Sequence, residues 1–341
     1  MRHKNNFDLL RLIAAVIVIL RHSFGLSGNN DPLEIWTNGS MHLGQLGVSV
    51  FFVISGYLIT LSLLRSDSFF SYLKKRFLRI FPGLIICVLI TIFILGPLTS
   101  QLEIGIYFSH SDTWSYLWNI SLYKLQYSLP GVFVNNIYGS AVNGSLWTLA
   151  YEFSFYILLM FFSIVGILRL RYVFIGCAAA LFCAIYVGEN LYIYNYSSNY
   201  LLGLNIVKFH EFFLYFFIGS AFYFVRDRIK YLGAITLILL LTYLTMIYFN
   251  TIYAQFINYL LIPSCIFFLA FKKGKTNSVG KIGDFSYGLY IYSFPIQQLI
   301  IFLYPEISLE AFFVISVLSV APFAFASWKF VEKPAMSLKN L

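Results

Sequence analysis

Runs of about twenty apolar residues, each closed by a short polar break, recur along the whole chain. An α-helix rises about 1.5 Å per residue, so such a run crosses the roughly 30 Å hydrocarbon core of a bilayer. The pattern predicts helices over 7–26, 44–63, 80–98, 144–166, 173–188, 208–225, 231–249, 252–271, 284–303 and 308–327. The run at 173–188 is short, and local thinning of the bilayer or packing against neighbours would accommodate it. The expected fold class is an all-α integral membrane protein with about ten transmembrane helices, forming a single domain over residues 1–341. No separate soluble domain is expected, and no fixed-period repeat is evident.

Lys and Arg set the orientation, because they accumulate in short cytoplasmic loops. Alternate breaks hold Arg2 and Lys4; Arg65, Lys74, Lys75, Arg76 and Arg79; Arg169 and Arg171; Arg226, Arg228 and Lys230; and Lys272, Lys273, Lys275 and Lys281. The tail adds Lys329, Lys333 and Lys339, so nineteen of the 23 basic residues fall on one side. Both termini are therefore expected in the cytoplasm. The first segment lacks a small-residue cleavage site and carries Arg11, Arg21 and His22, which reads as a retained helix rather than a signal peptide.

Composition agrees: 60% of residues are hydrophobic, 20% aromatic and only 11% charged, against about a quarter charged in soluble domains. The net charge of +9 then reads as a topology signal with attraction to anionic membrane lipids. It does not point to nucleic acid, since no basic domain stands apart from the breaks. Cys87, Cys177, Cys183 and Cys265 all fall in apolar runs without zinc or disulfide spacing, so no metal site is expected. One break, 99–143, is long and carries Trp114, Tyr116, Leu117, Trp118 and Tyr123, a composition suited to the membrane interface.

Ionisable groups inside a span are costly and by default mark function. Arg11, Arg21, His22 and Glu152 stand out, with Glu211 and Asp284 nearer helix ends. At 1.5 Å per residue, His22 and Glu152 lie about 8 Å and about 12 Å from the outer face. A His–carboxylate pair between the first and fourth helices is therefore allowed. Such a pair favours the protonated ring that a general base becomes when it takes a proton. The competing reading is a buried His and Glu that only join helices. Arg21 has two readings, snorkelling outward or binding an anion, and Arg11 near the inner face is placed to snorkel.

The break from Lys74 to Pro82 (Lys-Lys-Arg-Phe-Leu-Arg-Ile-Phe-Pro) is the densest basic run. It suits plain anchoring or a cradle for phosphates, since Arg forks bind phosphate bidentately. On a helical turn Arg76 and Arg79 would share a face. Glycine-rich phosphate loops, HExxH and Gly-x-Ser-x-Gly are absent.

Arg11 and His22 on the first helix, Phe51–Ile59, Arg76–Pro82, Gly144–Tyr156, Phe285–Pro295 and the ending Trp328–Pro334 together resemble, in order and over nearly the whole chain, the membrane acyltransferase-3 family. The resemblance implies an O-acyltransferase moving acetyl groups from cytoplasmic acetyl-CoA to surface carbohydrate. It implies His22 as the catalytic residue with Glu152 as partner, and Arg76 and Arg79, helped by Arg11, on the CoA phosphates. Ser55, Gly56, Trp147 and Tyr156 would line the cavity. Many relatives carry His where this chain has Ser293, which argues against catalysis from that helix and for a different acceptor or subgroup.

The expectation is thus a multi-pass enzyme of the bacterial inner membrane, with acetyl-CoA as donor and a surface polysaccharide, oligosaccharide or lipid-linked glycan as acceptor. It passes acetyl directly from base-activated attack or through an acetylated intermediate. The alternative is a transporter or flippase for a glycolipid or polysaccharide precursor. Such proteins often show duplicated, interrupted helix pairs, and no internal duplication is evident.

Overall fold

The computed structural model describes residues 5–170, 176, 180, 200–227, 229, 231–251, 253–272 and 283–340. Among them are nine long helices: α1 (Phe7–Leu26), α2 (Leu43–Leu64), α3 (Phe69–Ile90), α4 (Trp147–Ile164), α5 (Ile206–Val225), α6 (Leu232–Tyr248), α7 (Ala254–Ala270), α8 (Ser286–Leu303) and α9 (Leu309–Ser327). Each coincides with an expected apolar run. The tenth run, 173–188, lies outside the described residues apart from 176 and 180, as do Arg2, Lys4, Arg171, Arg228, Lys230, Lys273, Lys275, Lys281, Cys177 and Cys183. Among the described residues, five helical stretches are long and apolar enough to cross a membrane: Phe7–Leu26, Leu43–Leu64, Phe69–Thr99, Trp147–Ile164 and Leu309–Ser337.

One boundary differs from the expectation. The basic stretch Lys74–Arg79 is not a loop; it forms the second and third turns of α3, which starts at Phe69 and runs through Pro82. Lys and Arg lose little rotamer freedom in a helix. Ile80, Leu84, Cys87 and Val88, all buried, repeat at the spacing of one helical face and continue it. After Ile90 the chain widens into a π-turn, Thr91–Leu95, and closes with Gly96–Thr99.

The chain divides into two compact units. The first comprises Met1–Ala14, Pro32–Tyr72 and Tyr151–Ile282; the second comprises Ala15–Asp31, Leu73–Ala150 and Gly283–Leu341.

In the first unit, α2 and α5 pack with their backbones nearly touching. A Cβ on Gly56 would lie 1.8 Å from Phe216 O, and one on Gly219 would lie 2.1 Å from Val53 O. Small residues permit this approach between apolar helices, where van der Waals contact and hydrogen bonds replace the hydrophobic drive. Beside the crossing, the hydroxyls of Thr60 and Ser220 meet at 2.5 Å. Phe222 stacks on Phe267 of α7 at 3.7 Å, and Asn6 ties the chain start to the end of α7 through Leu269 O (2.9 Å). A two-residue hairpin, Tyr200–Leu201 with Leu204–Asn205, turns through Leu202 and Gly203, both at positive φ. Asn205 then caps α5 by accepting from Lys208 N (3.0 Å).

In the second unit, Gly288 of α8 admits Ala324 of α9, whose Cα would lie 2.8 Å from a Cβ there. The expected loop at 99–143 is ordered by short helices Ile104–Ser109, Ser111–Ser115 and Tyr116–Ser121 and by isolated bridges Ser100–Val132 and Ser128–Ala141. The Tyr107 hydroxyl fills the space above Gly96 and donates to Ile92 O (3.0 Å) inside the π-turn. Trp114 and Trp118 stay about half exposed, at 45% and 51%, as an interfacial position requires.

Candidate active site

In the second unit, three of the motifs meet around His22. Pro295 lacks the N–H that would close the α-helical bond to Ile291 O. Asn143 takes that carbonyl instead, donating Nδ2 at 2.9 Å, while its Oδ1 accepts from Ser145 N at 3.0 Å. The segment entering α4 is thereby fastened to the proline turn of α8. Gly144 sits under the Phe294 ring, whose edge would lie 2.6 Å from any Cβ there. Phe294 also meets the His22 ring edge-on, with centroids 5.0 Å apart. His22 Nδ1 is buried without a hydrogen bond, yet the residue keeps accessible surface. Its neighbour Arg21 is paired: Nε stands 3.3 Å from the buried carboxylate of Asp31.

Ser293 is fully buried and gives its hydroxyl to Tyr290 O at 3.1 Å. Trp147 opens α4 half-buried, and Thr148 bonds the Tyr290 hydroxyl at 2.5 Å.

In the first unit, Glu152 is half-buried and accepts two hydroxyl hydrogen bonds on Oε1. One comes from Ser55 Oγ at 3.1 Å; the other comes from Tyr156 OH, one helical turn along α4. Gly56 occupies the α2–α5 crossing. Tyr57 and Arg226 line a cavity of about 380 Å³ together with Leu58, Leu61, Phe222 and Phe271, and Arg226 donates to the Tyr57 hydroxyl at 2.8 Å. Ser55, Gly56 and Tyr156 lie outside that lining. Glu211 is buried and neutralised by Lys208 (2.7 Å) with Gln45 (2.7 Å). Arg11 is half-buried on α1.

Arg76 and Arg79 share α3 in the second unit. Arg79 faces two carboxylates, Asp284 at 2.5 Å and Glu332 at 3.5 Å. Glu332 is wholly buried and also accepts from Ser327 Oγ at 2.8 Å. Asp284 accepts from Ser286 Oγ at 2.6 Å. No group of three or more His, Cys, Asp or Glu able to hold a metal occurs among the described residues.

Sequence reasoning did not single out Asn143, Gln297 or Glu332. Asn143 could have been found from Pro295, since a proline inside a buried helix leaves a carbonyl needing a donor. Glu332 is an acid in an otherwise basic ending, Lys329 to Lys333, and that contrast was its one signal.

Residues 4–329 match the family model described as an acyltransferase domain. The chain is 32% identical over 351 residues to an O-acetyl transferase of Shigella phage Sf6, covering 97% of this chain and 96% of that protein. It is 36% identical over 164 residues to Nodulation protein 10 of Rhizobium leguminosarum bv. viciae, covering 46% and 43%. It is 29% identical over 167 residues to the peptidoglycan O-acetyltransferase OatA of Listeria monocytogenes, covering 45% and 23%. No solved structure matches this chain.

Proposed function

The chain belongs to the acyltransferase-3 family and is a membrane-bound O-acetyltransferase; from this premise we propose that it carries an acetyl group from acetyl-CoA at the cytoplasmic face to a hydroxyl of a surface polysaccharide, oligosaccharide or glycolipid. One similar protein is named for O-acetylating peptidoglycan, a glycan polymer, which favours a carbohydrate acceptor. The setting is the bacterial inner membrane, crossed about ten times with both ends inside. The distribution of Lys and Arg supports that orientation.

The observation that carries the mechanism is the environment of His22: a ring packed by Phe294, buried at Nδ1 and accessible elsewhere. His22 removes the acceptor hydroxyl proton as that oxygen attacks the thioester carbonyl. A C–O bond forms, the C–S bond breaks, and the proton passes to the departing CoA thiolate. Glu152, held by Ser55 and Tyr156, supplies negative charge that favours the transient imidazolium. By the family resemblance, Arg11 and Arg76 offer guanidinium groups to the CoA phosphates, whereas Arg79, expected beside them, is held by Asp284 and Glu332.

Inside-out vesicles carrying wild type or His22→Ala at matched levels, given acetyl-labelled acetyl-CoA, test this reading. Label should reach glycan with wild type and vanish with the variant. Label that never reaches glycan with wild type, although glycan is present, overturns acetyl-CoA as donor.

A further inference from the structure

Gln297 lies on α8, two residues past Pro295, and is wholly buried. Its Nε2 donates to Ile19 O and to Ser23 Oγ, both at 3.0 Å. These partners flank His22 on α1, at three residues before it and one after. The Ser23 hydroxyl hydrogen is spent on Ile19 O, also at 3.0 Å. Both atoms facing the amide on that side are therefore acceptors. A flipped amide would set oxygen against oxygen, so the partners themselves fix which end is nitrogen. Gln297 Oε1 is left on the other side.

Ile19, His22 and Ser23 share one face of α1, so the two bonds from Gln297 set its amide beside the His22 ring. Oε1 of the amide and Nδ1 of the ring are both buried, and neither has a hydrogen-bond partner among the described residues. A buried polar atom left without a partner costs about 1–3 kcal/mol. One hydrogen on Nδ1 would satisfy both.

We propose that Gln297 is a positioning residue whose Oε1 accepts the Nδ1–H of His22, holding the ring in that tautomer and leaving Nε2 bare to take the proton of the acceptor hydroxyl. The inference rests on the reading of His22 as base. A glutamine can orient the ring without adding a second charge inside the membrane, where a charge is costly.

Two variants test this. Gln297→Met keeps length and apolar bulk without an acceptor, and Gln297→Glu keeps the acceptor. Nitrogen NMR of protein labelled in its five histidines, with His22→Asn for assignment, reads the tautomer directly. Wild type should show His22 with hydrogen on Nδ1, and Gln297→Met should shift it toward the Nε2–H form. The kcat for acetyl transfer should fall in Gln297→Met with KM for acetyl-CoA unchanged, while Gln297→Glu should keep the Nδ1–H tautomer even though its second oxygen is set against Ile19 O and Ser23 Oγ. A tautomer that does not change between wild type and Gln297→Met overturns the inference, whatever the activity. A tautomer that shifts while His22→Gln still acetylates fully upholds the hydrogen bond and overturns the base reading beneath it.

Discussion

Gly56 rests on the carbonyl of Phe216 so closely that a Cβ would lie 1.8 Å from the oxygen and 2.8 Å from its carbon. The obstacle is helix backbone, which cannot swing aside as a side-chain tip would. Gly56→Ala should therefore part α2 from α5 and misplace Ser55, the adjoining residue that bonds Glu152. Overpacking of this kind costs about 1–3 kcal/mol and sometimes more. Melting of the detergent-solubilised protein should drop clearly in Gly56→Ala and in Gly219→Ala. Gly105, with nothing within 4 Å, provides the control: Gly105→Ala should melt like wild type.

Arg79 and Arg76 should separate cleanly. Removing Arg79 leaves Glu332 buried at 0% exposure without its cation, a defect of roughly 3–5 kcal/mol. Arg79→Ala should thus lose folded protein first, and adding Glu332→Gln should restore much of it. Arg76→Ala should raise KM for acetyl-CoA, measured per folded molecule. Equal KM in Arg76→Ala and wild type would return Arg76 to anchoring alone.

Asn143 answers a defect that Pro295 creates. Asn143→Ala leaves Ile291 O with only the weak Cys87 Sγ donor at 3.4 Å, costing about 0.5–1.5 kcal/mol. Asn143→Asp should be worse, because a carboxylate oxygen would then face a carbonyl oxygen. Both should lower acetylation per folded molecule, since the same residue fastens Gly144 beneath Phe294 and so sets the ring that packs His22. If Asp matches wild type in melting and turnover, the Ile291 contact has no structural weight.

The apolar runs made the helices legible, because a bilayer admits few alternatives for backbone hydrogen bonding. The same rule misread Lys74–Arg79, where charge suggested a loop and backbone propensity continued the helix. The conspicuous charges were legible too, but not their partners: Arg21 with Asp31 and Arg79 with Asp284 and Glu332 join positions remote in sequence or role. Neutral polar residues such as Gln297 and Asn143 gave little signal, since their meaning depends on which carbonyl or ring the fold sets before them.

The hydroxyls on Glu152 supply the last test. Ser55 and Tyr156 both donate to Oε1, and hydrogen bonds to a charged group are worth about 1.5–3 kcal/mol. Tyr156→Phe and Ser55→Ala remove one donor each while leaving most of the packing, so each should lower kcat about tenfold with little change in KM for acetyl-CoA. Two donors on one oxygen act as a unit, so the double variant should lose less than the product of the single losses. Glu152→Gln should lose at least as much as either, because it removes the charge that the hydroxyls hold. Single-turnover transfer from labelled acetyl-CoA, compared at matched folded protein, measures all four. Wild-type turnover in Glu152→Gln would make this carboxylate a link between helices, with no part in acetyl transfer.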